Sequence, residues 1–255
     1  MSVEANTDGV ATADQREQFE RDGYLVIDEA AAEETLDAIV AELDGMFGQP
    51  PYEEGGVRFF RNRIQDAWKI KAHIKELALS PPVHALLQDL YGRRPLPFQT
   101  INFRRGTQQA PHSDAIHFST MPEGFMCGVW VALEDMDMDN GPLFYHPGSQ
   151  RLPEVTMQDV GVEADHSQYL HYEEYMQSVV KDLPIEYGLI NKGQALIWSA
   201  NLLHGGSPAK DPNRTRKSQV THFFFEGTRY YTPLLSKDLS SEEGIFWREP
   251  EWIPT

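Results

Sequence analysis

Ala110-Pro111-His112-Ser113-Asp114 lies between two β-rich runs, Phe98 to Phe103 and Phe125 to Leu133. Similar runs follow at Pro142 to Tyr145, Gln194 to Trp198 and Val220 to Phe225, separated by Gly, Pro and Asn turns. This rhythm of short strands predicts an antiparallel jelly roll or sandwich. Upstream the pattern is helical. Thr12-x-x-Gln15 reads as a capping box that opens a short helix ending at Gly23, and Tyr24-Leu25-Val26-Ile27 reads as a strand. Leu36, Ile39, Val40, Leu43, Met46 and Phe47 recur at helical spacing and form one apolar face. Pro50-Pro51 and Gly55-Gly56 interrupt that pattern, and helical regions are expected over Ile64 to Leu79 and Pro82 to Tyr91. Helices first and strands later place the helices on one side of a β core. The expectation is a mainly β chain with flanking helices. A disordered start over 1–11 precedes one domain over 12–255, helical to about residue 95, with its jelly-roll core over about 96–235. The acidic segment 154–183, with Tyr169, Tyr172 and Tyr175, interrupts the strand rhythm. It reads equally as a lid or binding loop and as a surface helix with tyrosines on its packing face.

Composition excludes several functions. With 39 acidic and 22 basic residues the net charge is −17, which opposes binding to nucleic-acid phosphates and to anionic membrane surfaces. No apolar run is long enough to span a bilayer, and Met1 to Asn6 lacks the basic and apolar regions of a secretory signal, so a cytoplasmic location is expected. Cys127 is the single cysteine, which rules out an intramolecular disulfide and a Cys-rich zinc site. A metal in this protein has to be held by His and carboxylate.

The sequence offers such a set. If the chain is extended through His112 and Asp114, residues two apart point to the same face and can reach one ion. His204 sits in Leu203-His204-Gly205-Gly206, where the glycines allow a ligand to approach closely. His117 is the rival third ligand but has the opposite strand parity to His112; His146, His166, His171 and His222 read as structural or surface residues. Two imidazoles and one carboxylate cap one face of Fe(II) and leave the other face open. Arg216, with Arg214 as its rival, supplies a fork of donors suited to a carboxylate. Trp130 reads as a core residue.

Read together, these motifs resemble the phytanoyl-CoA dioxygenase family of Fe(II)/2-oxoglutarate oxygenases, including its ectoine hydroxylase branch. Glu17 to Val26 is similar to the family's N-terminal helix and strand, and Ile101-Asn102-Phe103 leads into His112-Ser113-Asp114 as in that branch. Asn140-Gly141-Pro142-Leu143, Pro147-Gly148-Ser149-Gln150 and His204-Gly205-Gly206 followed by Arg216 resemble further family motifs. Two positions depart: Gln150 stands where relatives carry a His, and the gap from His204 to Arg216 is one residue longer than in the family, which keeps Arg214 as the alternative.

The resemblance implies a double-stranded β-helix, a cupin-like jelly roll, with Fe(II) held by His112, Asp114 and His204. It implies 2-oxoglutarate anchored by Arg216, with Ser207, Asn102 and Gln99 as further contacts. With O2, and ascorbate as a support in vitro, 2-oxoglutarate would be converted to succinate and CO2 while a small metabolite is hydroxylated or desaturated. Halogenases related to the family leave the carboxylate position vacant for chloride, so Asp114 implies hydroxylation or desaturation. The substrate is expected to be a small polar or zwitterionic molecule held near Tyr172, Tyr175 and Phe225. Acyl-CoA is disfavoured by the overall acidity, despite Arg58, Arg61, Arg63, Arg104 and Arg105. The competing readings are a cupin-like metal isomerase or lyase and a non-catalytic metabolite-binding protein on the same fold.

Overall fold

The structure, a computed structural model, describes residues 11–255. The start expected to be disordered lies, up to residue 10, outside the described residues. Helix α1 (Ala13–Asp22) opens on the capping box: the Thr12 hydroxyl accepts from the Gln15 amide and the Gln15 side chain accepts from the Thr12 amide. Such a cap contributes about 1 kcal/mol. The helix stops at Gly23, whose φ of 79° is open to glycine at little cost. Strand β1 (Tyr24–Ile27) follows as expected, then α2 (Glu33–Leu43), which buries Leu36, Ile39 and Leu43.

The region expected to be one helix over Ile64 to Leu79 is divided. After a hairpin of β2 (Tyr52–Glu54) and β3 (Val57–Phe59), β4 (Arg63–Gln65) joins the sheet, and only Ala72–Ala78 forms α3. Asp66 makes the break: its φ is 61°, its amide donates to the Thr100 carbonyl, and its carboxylate accepts from the Thr100 amide. These pairings tie the chain to the sheet, and after Asp66 only a short 3-10 turn over Ala67–Lys69 precedes α3. Helix α4 (Pro81–Tyr91) then leads into β5 (Pro95–Phe103).

The remaining strands are β6 (Ser119–Met121), β7 (Met126–Ala132), β8 (Leu143–Tyr145), β9 (Glu186–Tyr187), β10 (Ala195–Ser199), β11 (His204–Gly206), β12 (Ser218–Phe225) and β13 (Arg229–Tyr231). The larger sheet runs β1-β10-β7-β12-β5-β4-β3-β2, the smaller β11-β8-β9, and β13 pairs with β6. In the larger sheet alternate residues serve two cores. Cys127, Val129, Val131, Phe223 and Phe225 pack against the helical layer with Leu36, Ile74 and Leu87. Trp130, Ala132, Leu196, Trp198 and Val220 face the smaller sheet and meet Tyr145 and Leu143. Each large apolar side chain buried in either core contributes about 1.5–3 kcal/mol.

The segment 154–183 contains α5 (Met157–Val160) and α6 (Tyr169–Val179). Of the two readings given to it, Tyr172 follows the packing-helix one. It is fully buried with Ile116, Met157, Met176, Leu203 and Leu234, and its hydroxyl accepts the Ser113 amide at 3.1 Å. Replacing Tyr172 with Phe leaves that buried N–H without a partner. Urea denaturation of Tyr172→Phe is therefore expected to show a loss of about 1–3 kcal/mol; unchanged stability would mean the bond does not hold the Ser113 turn.

Candidate active site

His112 and His204 exchange backbone hydrogen bonds, 2.9 Å in one direction and 3.0 Å in the other, which makes them direct partners across an antiparallel bridge. Direct partners project to the same side, and the two imidazoles stand 4.4 Å apart between centroids. Each Nδ1 lies 2.9 Å from the carbonyl two residues upstream, Ala110 for His112 and Leu202 for His204. A carbonyl can only accept, so each Nδ1 carries a proton, and each Nε2 is the ring atom left to face the centre of the site.

Asp114 completes the group. The expected extended run ends at Ser113, and Asp114 opens a short 3-10 turn over Asp114–Ile116. Ser113 ties this turn to its neighbours, its hydroxyl donating toward the Ala200 carbonyl and Asn201 Oδ1. Asp114 Oδ1 then stands 3.8 Å from His112 Nε2 and 3.9 Å from His204 Nε2. Ligand atoms of these three buried residues all lie within 4.8 Å of one another, so one ion can touch all three. Burial and the neighbouring His204 push the His112 imidazole down to about 3, so it is neutral at physiological pH. Burial alone would raise the Asp114 carboxyl, but His204, His222 and His112 outweigh it and hold it below the usual carboxylate range. A divalent cation needs this combination of neutral imidazole and ionised carboxylate.

Arg216 lies on the inner face of the barrel, two residues before β12 and in phase with Ser218, Val220 and His222. It is 1% exposed, its Nη1 donates to the Gly141 carbonyl, and its guanidinium lies over Phe103 and Trp130. It makes no ion pair among the described residues, and its Nε has no partner. Burial lowers it to about 10, so it stays charged at neutral pH. Ser218 Oγ and Trp130 Nε1 are also buried without partners. Isolated buried charge and unmade hydrogen bonds are costly. A buried cation with unpaired polar groups on the same face has the chemistry to receive a carboxylate. The rival Arg214 is exposed and paired with Asp137 at 3.0 Å. Asn140 and Gly141 build the turn that presents the Gly141 carbonyl: Asn140 bonds to Asp135 and Asp137, and Gly141 has φ 74°.

Several expected contacts fall elsewhere. Asn102 faces the helical layer, where it donates to Gln219 Oε1, and Gln219 in turn donates to the Ile74 carbonyl. It cannot also reach a ligand inside the barrel. Gln99 does face inward, 3.0 Å from His222 Nδ1. Ser207 borders a cavity of about 170 Å³ with Gly106, Gln108 and Asn140. Phe225 is fully buried on the helical side against Tyr91, and Tyr172 is closed into its own cluster, so neither lines a pocket. Tyr175 is 39% exposed on α6. His117 is 3.3 Å from the Tyr169 hydroxyl and outside the ligand group. Gln150 bonds to the carbonyls of Glu20 and Arg21, joining this loop to the end of α1.

Sequence reasoning missed two residues at the centre. His222 Nε2 lies 3.6 Å from Asp114 Oδ2, and Trp198 Nε1 donates to the same oxygen at 2.8 Å. Counting strand parity back from Arg216 would have placed His222 inside. Around His222 stand Phe98 and Phe118, with Phe224 stacked on Phe98.

With this geometry in hand, comparison with known proteins is decisive for the family. A profile of the phytanoyl-CoA dioxygenase (PhyH) family matches residues 19–218, and the chain belongs to that family. Phytanoyl-CoA dioxygenase domain-containing protein 1 of Mus musculus is 34% identical over 79 residues, covering 29% of this chain and 27% of that protein. An Arabidopsis thaliana phytanoyl-CoA dioxygenase is 26% identical over 188 residues, covering 56% and 66%. The matched part therefore spans about a quarter of the mouse protein and just under two thirds of the plant one. Among solved structures, EctD from S. alaskensis with 2-oxoglutarate and 5-hydroxyectoine superposes with a TM-score of 0.68 at 18% identity, over 98% of this chain and 88% of that one. The non-heme alpha ketoglutarate dependent carbocyclase SnoK from nogalamycin biosynthesis gives 0.68 at 15% identity, over 86% of both chains. At these identities the likeness is one of fold, the double-stranded β-helix.

One titratable group near the site sets a pH dependence. Burial raises Glu154 from an ordinary 4.5 to about 7, although the Ser119 hydroxyl donates to it at 2.8 Å. The folded state holds this proton more tightly than the unfolded chain. Its penalty is absent below pH 4.5, grows as pH rises, and is complete above pH 7. Glu154→Gln removes the penalty and keeps an acceptor for Ser119. Thermal or urea unfolding should find the variant more stable by up to about 3 kcal/mol at pH 8 and equal to wild type near pH 4.5. A gain that does not shrink on acidification would contradict this assignment.

Proposed function

We propose that the protein is an Fe(II)- and 2-oxoglutarate-dependent oxygenase that hydroxylates or desaturates a small molecule. The observation that carries this reading is Arg216: a buried, unpaired guanidinium on the inner face of the same barrel that brings His112, Asp114 and His204 together. A metal isomerase or lyase has no need of that cation, and a non-catalytic binder has no need of the ligand triad.

Each residue has a definable task. His112 and His204 offer their Nε2 atoms, the rings being oriented by Nδ1 donation to the carbonyls of Ala110 and Leu202. Asp114 offers Oδ1. Arg216 pairs with the far carboxylate of 2-oxoglutarate, and the unpaired Ser218 Oγ and Trp130 Nε1 support this reading as further donors to it. Fe(II) held by the triad would supply the coupling of O2 reduction to oxidation of 2-oxoglutarate and of a substrate C–H bond, yielding succinate and CO2. Asp114 fills the position that halogenases leave vacant, which favours hydroxylation or desaturation. The substrate rests against Phe98, Phe118 and His222, which favours a small molecule. Arg104 and Arg105 follow the end of β5, and the Arg104 carbonyl accepts from the Arg216 amide, so they lie at the Arg216 end of the sheet. That is the wrong end for the phosphates of a CoA ester.

The test is succinate release from 2-oxoglutarate by purified protein with Fe(II), ascorbate and air. Wild type should release succinate and His112→Ala should not. Arg216→Ala should raise the KM for 2-oxoglutarate about 10- to 100-fold, the equivalent of a lost charge-assisted bond, and Ser218→Ala about 3- to 10-fold. A wild-type KM in Arg216→Ala would remove the cosubstrate from this pocket.

A further inference from the structure

The two oxygens of Asp114 live in different surroundings. Oδ1 faces the imidazoles of His112 and His204. Oδ2 accepts the indole N–H of Trp198 at 2.8 Å, with both partners buried, and His222 Nε2 lies farther off at 3.6 Å. Indole N–H can only donate, so this bond has one direction and survives any local proton shift. Trp198 is also rigidly seated. It lies in β10, paired across the sheet with Gly128 of β7. A Cβ on Gly128 would fall 2.4 Å from the indole ring. Glycine weakens the interior of a strand and commonly marks a close approach; here the approaching group is Trp198. The same ring stands 4.9 Å from the His204 imidazole, so one side chain contacts two members of the triad.

We propose that Trp198, seated over Gly128, is a positioning residue that holds Asp114 as a one-oxygen ligand. This rests on the metal-centre reading above. A free carboxylate can turn and offer both oxygens to a cation. With Oδ2 held by the indole, rotation of the carboxylate is opposed, and Oδ1 would be the oxygen offered to an ion held by His112 and His204. The position that Oδ2 would otherwise take on that ion would stay open. The role concerns metal geometry and needs no knowledge of the substrate.

Co(II) is the probe, because its visible absorption reports both affinity and coordination number. Trp198→Phe keeps an aromatic ring in β10 and removes the donor together with part of the ring seated over Gly128. It should weaken Co(II) binding about 10- to 100-fold, the usual effect of removing a group that orients a ligand. It should also lower the molar absorptivity as Oδ2 swings in and the coordination number rises. Gly128→Ala, which keeps the indole but displaces it, should move both readouts the same way, so the test does not depend on one variant folding. In an Asp114→Ala background Trp198→Phe should change Co(II) affinity less than about 2-fold, because its partner is gone. Wild-type affinity and spectrum in Trp198→Phe, or an equal loss in the Asp114→Ala background, would overturn the positioning role alone. Failure of the wild-type protein to bind Co(II) would overturn the metal centre itself, and this inference with it.

Discussion

Two backbone hydrogen bonds between His112 and His204 organise the centre of this protein. They are a piece of β-ladder, yet they decide the chemistry, because partners facing each other across a bridge must project their side chains together. The bridge lengthens the smaller sheet by the chain leading to Asp114, and its register leaves little freedom in where the imidazoles stand. The carbonyls of Ala110 and Leu202 then orient the rings. The Ser113 turn, held by Tyr172 below and by Ala200 and Asn201 beside it, delivers the carboxylate. A one-residue slip of this bridge would send one imidazole to the opposite face.

The second organising element is electrostatic. Arg216 is a charge closed inside a barrel, lying against aromatic faces and a single carbonyl. Burying a cation this way costs stability unless something compensates it. The unpaired Ser218 and Trp130 groups beside it carry the same cost. Three unmet polar groups in one place, in a molecule that pairs most of its buried ones, amount to a cast of the missing partner. On the reading proposed above, the far carboxylate of 2-oxoglutarate would be that partner.

Much of this architecture was legible in the sequence because it depends on local rules. The capping box at Thr12 and Gln15, the turn at Gly23 and the main strand runs all follow from residue chemistry within a few positions. The triad was legible because two of its members are adjacent in sequence and the third sits among glycines. What escaped depends on which face of a strand a residue takes. Gln99 and Asn102 are three apart, so a strand puts them on opposite faces, and the helical layer claimed Asn102. Phe225 stands in the same relation to His222. Trp198 was invisible for another reason: its role is created by the missing side chain of Gly128, on a strand 70 residues away. Ile64 and Gln65 read as helix because the pairing of β4 to β5 is a tertiary fact, fixed by Asp66 against Thr100.

The net charge of −17 and the buried Arg216 together make a molecule that is negative outside and positive within. On the reading proposed above, an incoming dianion would be repelled on the way in and held once inside. Dissolved salt acts unequally on these two stages. It screens the exposed surface over about 8–10 Å at ordinary ionic strength but scarcely reaches a guanidinium enclosed by protein. Added salt therefore lowers the outer barrier while leaving the inner attraction nearly intact. Most proteins that bind anions grip them less well in brine; this arrangement captures its anion more readily there.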